Sequence, residues 1–180
     1  MSKTKLLIIG YSSFVRRRIE PSLKKNKLFE YCISSKSNKI NTNKKILYNN
    51  YEEALKKFAP EIVYISTVNS LHYDYAKKFL NKGFNVIVDK PVTLNIKATK
   101  TLLKIAKEKK LLLAEATLFN YHRVFDIMKR LCNGINQIEH IQSNLNHPLV
   151  RSPREIAKIN GDCESDMSPY AAAIIRLFTK

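Results

Sequence analysis

The chain has 180 residues, of which 44% are hydrophobic, and its formal net charge at pH 7 is +17. This length suffices for one full domain and part of a second, and the apolar content excludes a disordered chain. No stretch approaches the ~20 apolar residues of a membrane span, and the N-terminus lacks the features of a signal peptide. We therefore expect a globular, cytoplasmic protein without a membrane partner.

The positive charge is spread along the chain. Lysines recur on nearly every predicted helix, as in Lys77-Lys78, where a solvated outer face explains them. A basic field attracts phosphate regardless of sequence, so nucleic-acid binding stays open as an alternative, but this distribution favours a protein without a nucleic-acid partner. The three cysteines are far apart in sequence and form no metal-binding spacing, so no metal site is predicted.

Apolar runs alternate with helical patterns over the first two thirds of the chain. The predicted strands are Lys5–Ile9, Phe29–Ser34, Ile46–Tyr48, Ile62–Ser66, Asn85–Asp89 and Leu111–Ala114. The predicted helices begin near Ser12 or Ser13, span Tyr51–Phe58, run from Asn69 or Ser70 to Gly83, and span Ile96–Lys109. The first helix is expected to bury Phe14 and Val15 and to be loosened by Pro21, and the third is expected to bury Leu71.

Strands and helices that alternate at this spacing indicate right-handed βαβ units and a parallel sheet, which is the α/β doubly wound class. In such sheets the ligand crevice lies outside the carboxyl ends of the strands. Polar residues follow the predicted strands at this edge, in the groups Gly10-Tyr11-Ser12-Ser13, Ser34-Ser35-Lys36, Ser66-Thr67-Val68-Asn69, Asp89-Lys90-Pro91 and Glu115. We therefore expect residues 1–118 to form a Rossmann-type domain whose crevice these groups share.

After about residue 118 the pattern changes. A helix is predicted at Tyr121–Leu131, a strand at Gln137–Asn146 and a second helix at Asp166–Phe178. One strand cannot form a sheet, so residues 119–180 are expected to be a partial α+β substrate-binding domain.

The turn after the first strand matches the dinucleotide fingerprint GxGxxG only weakly. Gly10 stands at the first glycine position, but Ser12 and Val15 stand at the second and third. A helix N-terminus can still bind phosphate through its free N–H groups, and Ser12 and Ser13 add hydroxyl donors. The three arginines that follow offer a phosphate contact, with solvated helix charges as an equally open alternative.

The end of the second strand bears on the choice of nucleotide. An acid there binds the ribose 2′-hydroxyl of NAD, whereas a basic residue suits the 2′-phosphate of NADP. This chain has Ser34-Ser35-Lys36 there, and no acid follows them until Glu52. If a dinucleotide binds, we therefore expect NADP(H) to be preferred over NAD(H). A polar loop in a lysine-rich protein is the alternative interpretation.

With Gly10, Thr67-Val68-Asn69, His72 and Asp89-Lys90-Pro91 in this order, the chain resembles the glucose-fructose oxidoreductase / inositol dehydrogenase / MocA family. Thr67-Val68-Asn69 with His72 is similar to the family's Thr-Pro-Asn motif, which has a histidine three residues after the Asn. Asp89-Lys90-Pro91 is similar to the family's Glu-Lys-Pro signature. The resemblance implies an N-terminal Rossmann domain, a C-terminal substrate sheet and a cis peptide bond before Pro91.

A second signature of the family is a glycine-rich turn followed by Asp and, four residues later, His or Tyr on one helix. Asp166 and Tyr170 match that pair after Gly161. The chain departs from the pattern nearby, since Asp162 and its neighbours replace small residues and Ala173 stands where a further Asp is common. The resemblance runs from residue 5 to residue 178.

The resemblance implies hydride transfer between a nicotinamide and a sugar or nucleotide-sugar carbonyl or carbinol, with surface-polysaccharide synthesis as a context. It implies that Lys90 gives or takes the proton, that Tyr170 hydrogen-bonds the substrate oxygen, and that Asp166 orients the substrate or the tyrosine. A lysine side chain can give or take a proton in such a step, which agrees with this role for Lys90.

Strand-end position and resemblance together predict a set of cofactor-binding residues. They are Gly10, Tyr11, Ser12, Ser13, Phe14, Ser34, Ser35, Lys36, Thr67, Val68, Asn69, His72, Asp89, Lys90, Pro91 and Glu115. Family members continue beyond the Asp/Tyr helix, so the chain resembles a form truncated in its substrate domain, and a homo-oligomer is expected if the missing sheet is present in the full product. A dinucleotide-binding remnant without catalytic activity stays an alternative.

Overall fold

The chain divides into two compact units, Met1–Glu115 and Ala116–Lys180. The structure is a computed structural model that describes residues 2–36, 47–132, 138–144 and 163–178. Within these ranges the side chains of Phe119 and of residues 163–166 are not described. The assignment of the two units to cofactor and substrate binding stays a prediction.

The first unit is built on a parallel sheet of six strands. These are β1 (Thr4–Ile9), β2 (Phe29–Ser34), β3 (Leu47–Tyr48), β4 (Ile62–Ile65), β5 (Asn85–Val88) and β6 (Leu113–Glu115). Their order is β3-β2-β1-β4-β5-β6, which is the doubly wound Rossmann order, and the predicted fold class is confirmed. The strand order reverses between β1 and β4, so this pair marks the switch point where ligands bind in such sheets.

The strands are aligned so that they end together. Ile9 at the end of β1 pairs with Ser34 of β2 and with Ile65 of β4. Val88 at the end of β5 pairs with the same Ile65. The residues that follow these strands therefore emerge side by side at one edge.

Within the described residues of this unit, four α-helices cover the sheet. They are α1 (Glu20–Lys25), α2 (Tyr51–Phe58), α3 (His72–Asn81) and α4 (Ile96–Glu108). Asparagine caps fix two of the helix starts, because Asn50 accepts a hydrogen bond from the N–H of Glu52 and Asn95 accepts one from the N–H of Ala98. The core between sheet and helices includes Leu7, Ile65, Phe79, Leu80 and Leu102, all fully or almost fully buried.

A π-helical turn at Val15–Ile19 precedes α1 and changes which residues face inward. The N–H of Glu20 donates to the carbonyl of Val15, and this i, i+5 spacing puts Val15 and Glu20 on one buried face. Phe14 lies off that face and is 37% exposed, so the prediction that it is buried was wrong. Pro21, which has no N–H to donate, follows at the start of α1, where the helix was expected to loosen.

The segment before α3 corrects a second burial prediction. Asn69–Leu71 form a 3₁₀ turn, and α3 begins only at His72. The tighter turn takes Leu71 out of register with the inward face of α3, so Leu71 is exposed while Phe79 is fully buried. Gly83 ends the helix with φ +88°, as its position predicted.

The second unit contains α5 (Arg123–Leu131) and α6 (Cys163–Phe178), with a 3₁₀ turn at Leu118–Tyr121 before α5. Helix α6 begins at Cys163 rather than at Asp166, and the rings of Phe125 and Phe178 are in contact. The strand expected at Gln137–Asn146 is not formed over the described residues 138–144, and the rest of it lies outside them. A strand needs a partner backbone, and the described part of this unit supplies none.

None of the described helices combines the length and the apolar content that a membrane-spanning helix needs.

Candidate functional site

The polar groups that follow the strands meet at the carboxyl edge of the sheet, as the sequence predicted. Backbone hydrogen bonds continue the ladders one step beyond the strands. The N–H of Gly10 donates to Ser34 at 2.8 Å, that of Ser66 donates to Ile9 at 2.8 Å, and that of Asp89 donates to Ile65 at 2.9 Å. The turns after β1, β4 and β5 are therefore held next to one another.

Gly10 lies at the switch point, where the turn after β1 packs closely against the turn after β4. Its φ is +92°, and a Cβ added there would lie 2.3 Å from the carbonyl oxygen of Ser66. No other residue fits this position without moving the backbone of the β4 end. The chain therefore meets the first requirement of a dinucleotide-binding turn, which is a glycine where the backbone bends tightly.

The second and third fingerprint positions depart from glycine, and the structure accommodates both side chains. The Ser12 hydroxyl turns inward, where it accepts a hydrogen bond from the N–H of Val15 at 3.1 Å and pairs with the Ser66 hydroxyl at 2.8 Å. Val15 is fully buried at the start of the π-helical turn. Ser13 is half-buried, whereas the three arginines that follow are exposed.

Glu20 is a buried charge that the sequence analysis missed. It is 4% exposed, and its carboxylate accepts hydrogen bonds from the hydroxyls of Tyr11 at 2.5 Å and Tyr31 at 3.4 Å and pairs with Lys24 at 2.9 Å. Burial and then the Glu20 charge raise the pKa of Tyr31 to about 12. The contact holds Tyr11, which lies in the turn after β1, against α1. The i, i+5 spacing of a π-turn is the signal that would have revealed it.

A groove of about 510 Å³ opens beside the ends of β1 and β2. It is lined by Ile9, Gly10, Ser34, Ser35, Lys36, Asn49, Asn50, Tyr51, Thr67 and Tyr75. The groove brings together the predicted residues Gly10, Ser34–Lys36 and Thr67, and none of these lining residues is acidic. The sequence analysis missed the contribution of residues 49–51 and of Tyr75, because nothing in the local pattern shows that α2 and α3 reach this edge.

The turn after β5 carries Lys90, which is half-buried. Its neighbour Asp89 accepts a hydrogen bond from the hydroxyl of Tyr64, which lies in β4. It accepts another, at 2.5 Å, from the hydroxyl of Ser66, which directly follows β4. Burial, and then the negative charge of Asp89, raises the pKa of the Tyr64 phenol. Tyr64 did not stand out in the sequence because it lies inside an apolar strand.

The two residues after Lys90, like Asp89 before it, make contacts with other elements of the fold. The Lys90–Pro91 peptide bond is cis, as the resemblance implied. The carbonyl of Pro91 lies 2.8 Å from Nδ1 of His72, and the N–H of Val92 donates to Glu115 at 2.9 Å. The backbone on both sides of Lys90 is therefore tied to β4, α3 and β6.

His72 has a defined tautomer. A carbonyl can only accept, so Nδ1 carries the proton that it donates to Pro91. The ring is fully buried, and Nε2 has no hydrogen-bond partner among the described residues. The contact seen here is to the Lys90 turn, and the predicted role of His72 in cofactor binding stays a prediction.

The predicted site residues not yet located are Val68, Asn69, Asp166 and Tyr170. Val68 precedes the 3₁₀ turn, and Asn69 lines a second cavity of about 400 Å³ beside the start of α4. Tyr170 is half-buried on α6 of the second unit, and the side chain of Asp166 lies outside the described residues. Their predicted catalytic roles therefore stay predictions.

Comparison with known proteins identifies the family to which the first unit is similar. Residues 4–117 match the model of the oxidoreductase family with an NAD-binding Rossmann fold, known as GFO_IDH_MocA. This match covers more than half of the chain, and it coincides with the first unit.

Two curated relatives illustrate the range of similar proteins. The trans-1,2-dihydrobenzene-1,2-diol dehydrogenase of Xenopus laevis is 23% identical over 133 residues, which are 72% of this chain and 40% of the relative. The dTDP-3,4-didehydro-2,6-dideoxy-alpha-D-glucose 3-reductase of Streptomyces violaceoruber is 27% identical over 132 residues, 71% of this chain and 38% of the relative. The chain thus spans about 40% of the length of these relatives.

A solved structure shows the same fold. A 3-ketoreductase from Actinomadura kijaniata, in complex with NADP and TDP-benzene, superposes with a TM-score of 0.81 at 23% identity. The superposition covers 98% of this chain and 57% of that chain. At this identity the likeness shows the fold alone.

Proposed function

The chain belongs to the oxidoreductase family with an NAD-binding Rossmann fold, and from this membership we propose that it serves NADP(H)-dependent hydride transfer to or from a sugar or nucleotide-sugar carbonyl or carbinol. The observation that carries the proposal is the edge where Gly10 closes on Ser66 and where Lys90 emerges from the adjacent turn. One edge then combines a nucleotide turn with a proton-transfer group. Surface-polysaccharide synthesis is the proposed context.

The residues at this edge are of the chemical types that bind a dinucleotide. Gly10 leaves the backbone free to approach a pyrophosphate. The N–H groups of Val15 and Arg16 already donate to Ser12, so the N–H groups of Ser13 and Phe14 are the ones proposed to donate to the phosphate. The groove between β1 and β2 then takes the adenosine end. A bound nicotinamide supplies or accepts the hydride.

Lys90 is proposed to move the proton that accompanies the hydride, at the substrate oxygen. Three contacts favour this role, because Asp89, Pro91 and Val92 are each hydrogen-bonded to a different element, which limits the positions that the lysine backbone can take. Tyr170 of the second unit is proposed to hydrogen-bond the substrate oxygen. Asp166 is proposed to orient the substrate or the tyrosine.

NADP(H) is proposed over NAD(H) because of the groove lining. Ser35 and Lys36 supply a hydroxyl and a positive charge, which suit a 2′-phosphate, and the lining residues include no carboxylate to bind a 2′-hydroxyl. The proposal also includes a cytoplasmic location and, if the full product contains the missing substrate sheet, a homo-oligomer.

A second candidate is a dinucleotide-binding protein without catalysis. It is favoured by the second unit, in which the described residues form helices and no paired strand. A catalytically competent form should be a soluble, defined oligomer in size-exclusion chromatography, whereas a remnant should aggregate.

Replacement of Lys90 tests the catalytic proposal. Lys90→Ala should abolish turnover in a screen of ketosugars and nucleotide sugars while the NADPH dissociation constant stays within about threefold of the wild-type value, because the lysine acts on the substrate proton. Lys100→Ala, an exposed lysine on α4, is the matched control and should retain full turnover. Unchanged turnover in Lys90→Ala would overturn the assignment.

A further inference from the structure

Ser12 is the residue at which this chain departs from the second glycine of the fingerprint, and its side chain has a specific partner. The hydroxyl lies 2.8 Å from that of Ser66, and it also accepts the N–H of Val15 at 3.1 Å. It thus joins the start of the first helix to the end of β4. A glycine here could make neither contact.

The direction of the hydrogen bonds follows from counting protons. Ser66 has one hydroxyl proton, and it donates this proton to Oδ2 of Asp89 at 2.5 Å. Ser12 must therefore donate to Ser66. Oδ1 of Asp89 accepts from Tyr64, so a directed chain runs from Ser12 through Ser66 to a carboxylate that accepts at both oxygens.

Burial of Ser66 and Tyr64 makes the middle of this chain of bonds sensitive to the loss of a partner. Ser66 is 1% exposed and Tyr64 is 4% exposed, so water cannot readily replace a missing partner. Hydrogen bonds in series also polarise one another where the local dielectric constant is low. Loss of a hydrogen bond at Ser12 therefore changes the strength of the hydrogen bond at Asp89, and the reverse also holds.

We propose that Ser12, Ser66 and Asp89 form a relay that holds the nucleotide turn and the Lys90 turn in one arrangement, which makes Ser12 and Asp89 coupled positioning residues for NADP(H) binding. This inference rests on the function proposed above. Ser12 adjoins the nucleotide turn at Gly10, and Asp89 directly precedes Lys90. Occupancy of one turn is thereby linked to the position of the other.

A double-mutant cycle tests the relay by fluorescence titration with NADPH, on variants first shown to be folded by circular dichroism. Ser12→Ala and Asp89→Ala should each raise the NADPH dissociation constant about threefold to tenfold, the value of one partly desolvated hydrogen bond. Because both break the same chain of bonds, the double variant should be no weaker than the weaker single variant. Ser12→Thr, which keeps the hydroxyl, should stay within about twofold of wild type.

Two controls isolate the coupling. In a Ser66→Ala background the link is absent, so the effects of Ser12→Ala and Asp89→Ala should no longer depend on each other. Ser22→Ala removes an exposed serine on α1 whose hydroxyl donates to the carbonyl of Arg18 in the preceding π-helical turn, away from the relay, and it should combine with Asp89→Ala additively. If Asp89→Ala does not fold, the pair Ser12→Ala and Ser66→Ala replaces it, with the same non-additive result expected.

Independent, multiplying effects of Ser12→Ala and Asp89→Ala would overturn the relay, as would a Ser12→Thr variant no better than Ser12→Ala. Failure of the proposed function has a different signature, since wild-type protein would then bind neither NADPH nor NADH. The same cycle measured by urea unfolding still tests the relay in that case, and additive free energies of unfolding would reject it.

Discussion

The two units of the molecule differ in how far their apolar helix faces are covered. In the first unit α3 buries its inward residues fully, as Phe79 and Leu80 show. In the second unit α5 carries an apolar stripe at the same helical spacing, yet its members are 41% to 77% exposed: Val124, Ile127, Met128 and Leu131. Periodicity therefore predicts an element and its apolar face, whereas coverage of that face depends on a partner that the local sequence does not encode.

The strands show the same difference. The six strands of the first unit pair along their length because each has a neighbour in the sheet. Residues 138–144 lie in the segment for which the sequence predicted a strand, but they pair with no strand of the described chain. The described part of the first unit is thus a paired sheet covered by helices, and the described part of the second unit consists of helices and unpaired segments.

A matched pair of leucines gives the largest contrast between the units. Leu80→Ala should lower the free energy of unfolding by about 3 kcal/mol, because it opens a cavity in a fully buried site. Leu131→Ala, at 77% exposure, should change it by no more than about 0.5 kcal/mol. Urea unfolding of both variants checks the comparison. Equal losses would mean that the α5 face is covered in solution.

Two glycines of the first unit, Gly10 and Gly83, share a positive φ but differ in how closely other atoms approach them. Gly10→Ala should cost about 2–3 kcal/mol and abolish nucleotide binding, because it adds a Cβ at 2.3 Å from Ser66 to the strain of φ +92°. Gly83 has φ +88° but nothing within 4 Å, so Gly83→Ala should cost only about 1 kcal/mol and leave binding intact. Unfolding and NADPH titration of the pair separate backbone strain from the close approach.

The smallest expected effect concerns Tyr31, which lies beside buried Glu20. Its pKa is raised to about 12 in the folded chain from the model-compound value of 10.0. The folded state therefore keeps a proton that the unfolded state releases between about pH 10 and pH 12, so this contribution to stability is full below pH 10 and is lost as the pH rises. Tyr31→Phe should show a shallower loss of unfolding free energy over that range. Parallel curves for variant and wild type would contradict the assignment.

Much of the first unit could be predicted from the sequence, because each apolar run ends in a turn residue or a helix cap. Gly10, Asn95 and Gly83 mark element boundaries by their own chemistry, and the end-to-end alignment of strands then follows from the fold class. The predicted meeting of the Gly10, Ser66 and Asp89 turns is of this kind.

The missed residues share a different cause. Glu20 is buried because a π-turn shifts the helix by one residue, and Tyr64 reaches Asp89 from inside an apolar strand. The relay through Ser12 likewise depends on side chains from three turns that are remote in sequence. Such contacts follow from tertiary packing, which short-range patterns do not encode.

Titration of the purified chain with NADPH and with NADH, followed by nucleotide fluorescence, tests the central claim most directly. The account predicts an NADPH dissociation constant on the order of micromolar, weaker binding of NADH, and a loss of this preference in Lys36→Ala, because Lys36 lines the groove that takes the 2′-phosphate. Binding of neither nucleotide, or tighter binding of NADH, would contradict the proposal that the edge built around Gly10 is an NADP(H) site.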